Sequence, residues 1–407
     1  MFKKVLIVLL ATLMVVTVCS AKTKLLLWEF MMNDDTANKV IEDYEAMNPD
    51  VEIEFVQLSW ATGFDKIVTA FAAGAVPDVL ELGNTWVANF ANEGVLTDIS
   101  GEVEKFPYIV GWNQSRYDGN YWGYPWLLGT RAMFYNMDLF VKAGLDPENP
   151  PETWGELIEA AKKIDALGDD IYGFGMGTGE PQTPWQEWFL PAVWGNNGNI
   201  LSEDMKTATL NSKEVLEAGK MYQELSKYAI KTKASDLRAV FGSGKVGMWI
   251  AQAGDITKLS STYPDTNFMV CFVPKPDKED GFHASFAGGE ILTIPTASKN
   301  KEEAKKLIEY LISEEVTMNI TKRVPSIFPS TKKAEENPWF EDHPLEYIFF
   351  LQNTQAVPAP QHPKWVDIQF KLSEAIESIV LDYTDVEETF NKYNQQIQAI
   401  LDEFNGK

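Results

Sequence analysis

Thirteen tryptophans stand among the 407 residues, and an indole that is not packing a core offers a flat apolar face on which a ring can stack. Carboxylates are more abundant still. Against 35 Lys and Arg there are 59 Asp and Glu, a formal net charge of -24, and a suitably spaced pair could serve as acid and base toward a glycosidic bond. The four arginines, Arg116, Arg131, Arg238 and Arg323, are scattered with no basic cluster, which argues against a nucleic-acid partner. His283, His343 and His362 lack metal-ligand spacing. No nucleophile elbow is present. Of the two cysteines, Cys271 lies between Val270 and Phe272 in a strand-like run and reads as a small apolar residue.

These groups need a scaffold, and the chain order supplies one. Lys3 and Lys4 precede an apolar run from Val5 to Val18 and the small residues Cys19, Ser20 and Ala21. Residues 1–21 therefore read as a cleaved signal peptide, too short to span a bilayer. A lipid anchor on Cys19 is the weaker reading, because Val18 rather than a small residue precedes it. The chain beyond is too long for one ordinary core and points to two domains. Apolar runs at Leu25 to Trp28 and Val79 to Leu82 and an alternating strand pattern at Val51 to Val56 are interleaved with helical spacing at Ala37 to Met47 and Phe64 to Ala73. That order predicts a largely parallel sheet covered by helices. Asp118 and Gly119 predict a tight hairpin, and Thr153 with Glu156 and Asn211 with Glu214 predict capping boxes. A second strand and helix series follows, with strands at Ala132 to Tyr135, Lys245 to Ile250 and Phe268 to Val273. The tail from Trp365 to Phe404 reads as two helices broken near Asp382 to Asp385.

Six segments carry a resemblance: AAGAVPDV at 72–79, EGVL at 93–96, DGNYWGYP at 118–125, YNMDLFVKAGLDP at 135–147, TWGEL at 153–157 and FGSGKVGM at 241–248. In this order they resemble the extracellular solute-binding proteins of ABC sugar importers, the family that includes maltose-binding protein. The resemblance implies an α/β, two-lobed periplasmic-binding-protein fold. Each lobe would be a mixed, largely parallel sheet flanked by helices, with a ligand cleft between the lobes and three crossing segments. It places residues 22–128 and 290–327 in the N-terminal lobe and 129–289 and 328–407 in the C-terminal lobe. The crossings fall near Leu128 to Thr130, Phe286 to Gly289 and Ser326 to Pro329, with Leu128, Gly129, Thr130, Gly288 and Gly289 as hinge positions.

In open α/β sheets ligands bind where strands end in loops. That rule selects Glu29 and Phe30, then Asn84, Thr85 and Trp86, then Trp126, Arg131 and Glu290. From the second lobe the resemblance adds Thr178, Glu180, Gln182, Trp185, Trp249, Gln252 and Asp255. Trp86, Trp126, Trp185, Trp249 and Trp365 are the stacking candidates, while Trp28, Trp154, Trp188, Trp194 and Trp339 are assigned to packing. Arg131 would pair with a ligand carboxylate or with adjacent hydroxyls, or else form an internal ion pair. The expected ligand is a sugar, stacked on indoles and held by polar side chains. The expected partners are the membrane permease subunits, with the protein acting as a periplasmic or extracellular monomer and needing no cofactor or metal. A polyamine held by Glu29, Glu81, Asp255 and Glu290 is the rival ligand, and a glycoside hydrolase the rival class.

Overall fold

The computed structural model describes residues 22–180 and 182–406. The expected signal peptide at 1–21 lies outside the described residues. Two sheets organise the molecule. The first runs in the order Phe328–Pro329, Tyr124–Gly129, Gly288–Thr293, Val79–Gly83, Thr23–Glu29, Val51–Gln57. The second runs Phe268–Cys271, Arg131–Asn136, Val246–Gln252, Tyr172–Gly177, Ala229–Thr232.

Parallel pairing is found where a helix returns the chain to the same sheet. Thr23–Glu29 pairs parallel with both Val51–Gln57 and Val79–Gly83, and Tyr172–Gly177 with both Val246–Gln252 and Ala229–Thr232. Strands that enter from a crossing pair antiparallel, as Gly288–Thr293 does with Val79–Gly83 and Tyr124–Gly129. The inner strands Val79–Gly83 and Val246–Gln252 are buried on both faces and read as apolar runs, whereas the edge strand Val51–Gln57 exposes Glu52, Glu54 and Gln57 and alternates. In the first lobe Leu25 and Leu27 pack on one side with Val79 and Leu292, while Trp28 packs on the other with Leu80, Leu82 and Ile291.

Local signals set the element ends. Thr153 forms the predicted capping box with Glu156 at the start of helix Trp154–Asp165. Asp118 (φ 49°) and Gly119 (φ 80°) turn the hairpin between Arg116–Tyr117 and Asn120–Tyr121. The second capping box does not form: Ser212, not Asn211, stands at the start of helix Lys213–Leu225 and makes no side-chain cap bond, while the Asn211 amide donates to Asn391 Oδ1 at 2.8 Å.

The sheets meet at short crossings. Only Thr130 separates strand Tyr124–Gly129 of the first sheet from Arg131–Asn136 of the second. Its hydroxyl lies 2.9 Å from both Ser285 Oγ and the Phe286 carbonyl, tying the first crossing to the second. Gly129, Gly288, Gly289 and Phe328–Pro329 all pair within the first sheet, so boundaries at 128/129, 289/290 and 327/328 fall within or at the edge of these strands. Gly289 has a steric reason: a Cβ there would sit 2.1 Å from Gln114 Oε1.

Candidate functional site: the cleft between the lobes

Strand ends from both sheets enclose a cavity of about 260 Å³. Asn84 and Thr85 reach it from the start of helix Asn84–Asn92, Gly288 to Glu290 from the second crossing, and Ser326 and Ile327 from the third. The second lobe contributes Arg131, Gln182, Gln186 and Gln252. On the flank of the cleft the lobes touch, where the Asn89 amide donates to the Pro363 carbonyl at 3.1 Å.

Two rings line this cavity, Phe286 beneath Arg131 and the more exposed Trp60. Trp60 is 42% exposed and stacks on Phe30 with centroids 4.2 Å apart and planes 21° apart. Trp86 braces it from 5.3 Å. Gly83 leaves it room, since a Cβ there would come within 3.1 Å of the indole. The result is a layered aromatic wall with one open face, suited to stacking an apolar ring face.

Opposite charges meet across the cleft. The Arg131 guanidinium donates to Gln186 Oε1 and to the Thr130 carbonyl, each at 3.2 Å, and lies 5.7 Å from the Phe286 ring. Burial pulls Arg131 below the usual guanidinium value, and Glu187, Asp255 and Glu290 oppose that pull. Burial likewise lifts Glu187 to about 8, against the attraction of Arg131. Glu290 rises to about 7 for the same reason.

Of the positions expected from sequence, the cleft brings together Asn84, Thr85, Gly129, Thr130, Arg131, Gln182, Gln252, Gly288, Gly289 and Glu290. The five expected stacking tryptophans are absent from its lining. Trp126 is wholly buried in the first-lobe core, its Nε1 donating to the Leu311 carbonyl at 3.0 Å. Trp249 packs between Phe134 and Phe241. Trp185 and Trp365 meet edge to face at 5.1 Å inside the second-lobe core. Trp86 and Phe30 stand behind Trp60 rather than at the surface. Glu29 is fully buried and accepts the Met31 and Met32 N–H groups at 2.7 Å each. Asp255 is buried in an ion pair with Arg238. Thr178 is buried, its N–H bonded to the Thr232 carbonyl, and Glu180 accepts from the Thr183 hydroxyl. Leu128 faces a different cavity behind the crossings.

Sequence reasoning missed Met31, Trp60 and Gln186, and gave Phe286 only as part of a crossing. Trp60 and Met31 follow the ends of Val51–Gln57 and Thr23–Glu29, the same rule that found Asn84. Gln186 lies four residues after Gln182, on the same face of a helical turn.

Two lobes joined by short crossings, with a polar and aromatic cleft between them, define a ligand-binding protein of the periplasmic type. Residues 32–318 match the family of bacterial extracellular solute-binding proteins, and the chain belongs to that family. A binding protein of Brucella abortus is 28% identical over 373 residues, 89% of each chain. The diacetylchitobiose binding protein of Streptomyces coelicolor is 26% identical over 327 residues, 75% of this chain and 72% of that one. An ABC transporter solute-binding protein from Thermotoga lettingae, bound with alpha-D-tagatose, matches at a TM-score of 0.79 and 29% identity, covering 93% of this chain and all of that one. The family is one of transport binders rather than enzymes. Among the described residues no helix is long and apolar enough to cross a membrane.

Proposed function

We propose that the protein captures a small sugar in the interlobe cleft and hands it to the membrane subunits of an ABC importer. The observation that carries this reading is the open face of Trp60 set opposite amides and a guanidinium: Gln182, Gln186, Gln252 and Arg131. A sugar ring has an apolar face for the indole and hydroxyls for the polar groups. The volume of about 260 Å³ falls just below the range of small-molecule sites, about 300 to 1,000 Å³. One ring suits it better than a long oligosaccharide. The tagatose bound to the Thermotoga lettingae protein supports a single ring, and the diacetylchitobiose relative supports a sugar.

The remaining parts of this reading are proposed with it. The lobes divide at the three crossings, with Thr130 and Ala287 as pivots. The protein is exported by a cleaved leader at residues 1–21, works outside the cytoplasm, and is a monomer that closes on its ligand. Calorimetric titration with D-tagatose, other monosaccharides, diacetylchitobiose and putrescine tests the ligand class. Binding of putrescine alone would replace the sugar reading with the polyamine one.

Trp60→Ala is expected to lower sugar affinity about five- to thirtyfold, equivalent to about 1–2 kcal/mol, since it removes the stacking face and its buried area. The unliganded protein should stay within about 1 kcal/mol of wild type, because the ring is half open to water. Unchanged affinity with a large loss of stability would make Trp60 a packing residue.

A further inference from the structure

Three carboxyls lie in a row across neighbouring strands of the first sheet. Parallel register sets Leu27 opposite Val79 and Trp28 opposite Leu80, so the next residues, Glu29 and Glu81, face one another. Antiparallel register sets Leu292 opposite Glu81 and Glu290 opposite Gly83. Glu81 and Glu290 are thus diagonal neighbours on one face, within reach of each other. The last of the three lines the cleft.

The row is dry. Glu29 and Glu81 are fully buried, with Glu29 Oε2 accepting from Met31 and Met32 and Glu81 Oε2 accepting from Phe30, each at 2.7 Å. The other oxygens, Glu29 Oε1, Glu81 Oε1 and Glu290 Oε2, are buried and meet no donor among the described residues apart from one another's carboxyls. The charged groups around the row are few. Arg131 attracts Glu290 from the second lobe, and Arg131 itself faces Glu187 and Asp255. Glu29 and Glu81 respond only to each other and to Glu290.

Three adjacent buried carboxyls cannot all ionise, and a shared proton turns an orphaned oxygen pair into a short, charge-assisted hydrogen bond. Burial, then the neighbouring carboxylates, lift Glu81 well above the ordinary range. Burial lifts Glu29 to about 8, while Glu290, nearest to Arg131, stands at about 7. Glu81, set between the other two, is therefore where the shared proton sits, and the charge appears first on Glu290, at the cleft.

We propose that Glu81 is a positioning residue for ligand capture: its protonated carboxyl donates a hydrogen bond to Glu290 and holds that carboxylate against the cleft as an acceptor for ligand hydroxyls. This rests on the sugar reading for its affinity arm and on the protein alone for its spectroscopic arm.

The test compares wild type, Glu81→Gln and Glu81→Leu by infrared spectroscopy of the unliganded proteins, and by calorimetry with D-tagatose and diacetylchitobiose from roughly pH 5 to 10. The wild type should show a protonated carboxyl band at neutral pH that weakens in both variants. Its affinity should rise as Glu290 ionises near pH 7 and fall again at alkaline pH as Glu81 loses its proton. Glu81→Gln still donates from its amide, so its best affinity should stay within about threefold of wild type while the alkaline fall disappears. Glu81→Leu should lose about tenfold or more at every pH. The proposal is overturned if the neutral-pH band is missing, if the wild-type affinity is flat, or if Glu81→Gln loses as much as Glu81→Leu while its melting temperature is kept. A wild type that shows the band, has it weakened in Glu81→Gln and binds neither sugar would fault the sugar reading and leave the shared proton standing.

Discussion

Replacing Trp126 by Ala is expected to destabilise the unliganded protein by about 3–5 kcal/mol and to leave the ligand affinity of the folded fraction unchanged. The ring is wholly buried among Leu25, Leu27, Leu292 and Leu307. Truncation would open a cavity there and also strip the Leu311 carbonyl of the indole N–H that donates to it, adding the cost of a buried acceptor left without that donor. A loss of this size is a large share of a typical domain's stability, so Trp126→Phe serves as the milder companion. Urea unfolding followed by circular dichroism reads the midpoint. A variant with wild-type stability and lost affinity would return Trp126 to the cleft, where its position at a strand end had suggested it.

The contrast between Trp126 and Trp60 shows where sequence reasoning reached and where it stopped. Order and ends of elements were legible because they depend on local chemistry. Thr153 and Glu156 satisfy helix-end N–H groups wherever the helix lies, and Asp118 with Gly119 fits a turn that needs positive φ at both positions. The polar half of the cleft was legible too. Asn84, Thr85, Arg131 and Gln252 stand where strands end, and polar groups at such points have no core to enter.

The stacking ring was not legible, because an indole suits a core as well as a cleft. Trp249 follows Met248 in a strand buried on both faces, so alternation assigns it to a face without saying that Phe134 and Phe241 cover that face. Glu29 poses the same difficulty in reverse. A carboxylate at a strand end reads as a ligand group, yet here it turns inward, bonds two backbone N–H groups and joins the row with Glu81 and Glu290. Only the register between strands reveals that row.

That row, with Glu187 and His362, sets the expected pH dependence of stability. Folding raises Glu29 and Glu187 from 4.5 to about 8 and Glu290 to about 7, chiefly by burial. A raised carboxyl favours the folded state most where it is protonated in both states, below about 4.5, and that contribution is lost as pH rises through 7 to 8. His362 acts oppositely. Burial lowers it from 6.5 to about 4, so its contribution is present above 6.5 and is lost as pH falls toward 4. Between roughly pH 8.5 and 6.5 only the carboxyls change, and stability should rise on acidification. Below 6.5 the charging of His362 offsets part of the gain, so stability keeps rising on acidification but less steeply, until the carboxyls are protonated in both states near about pH 4.5. Each pH unit of displacement is worth about 1.4 kcal/mol, and neighbouring carboxyls share protons rather than add, so the gain from pH 8.5 to 6 should be about 3 kcal/mol. Urea midpoints at pH 6, 7 and 8.5 measure it. Glu187→Gln, which deletes one raised carboxyl outside the row, should flatten the slope without abolishing it. A midpoint that climbs from pH 6 to 8.5 would mean that these carboxyls ionise freely in the folded protein and that the row holds no proton.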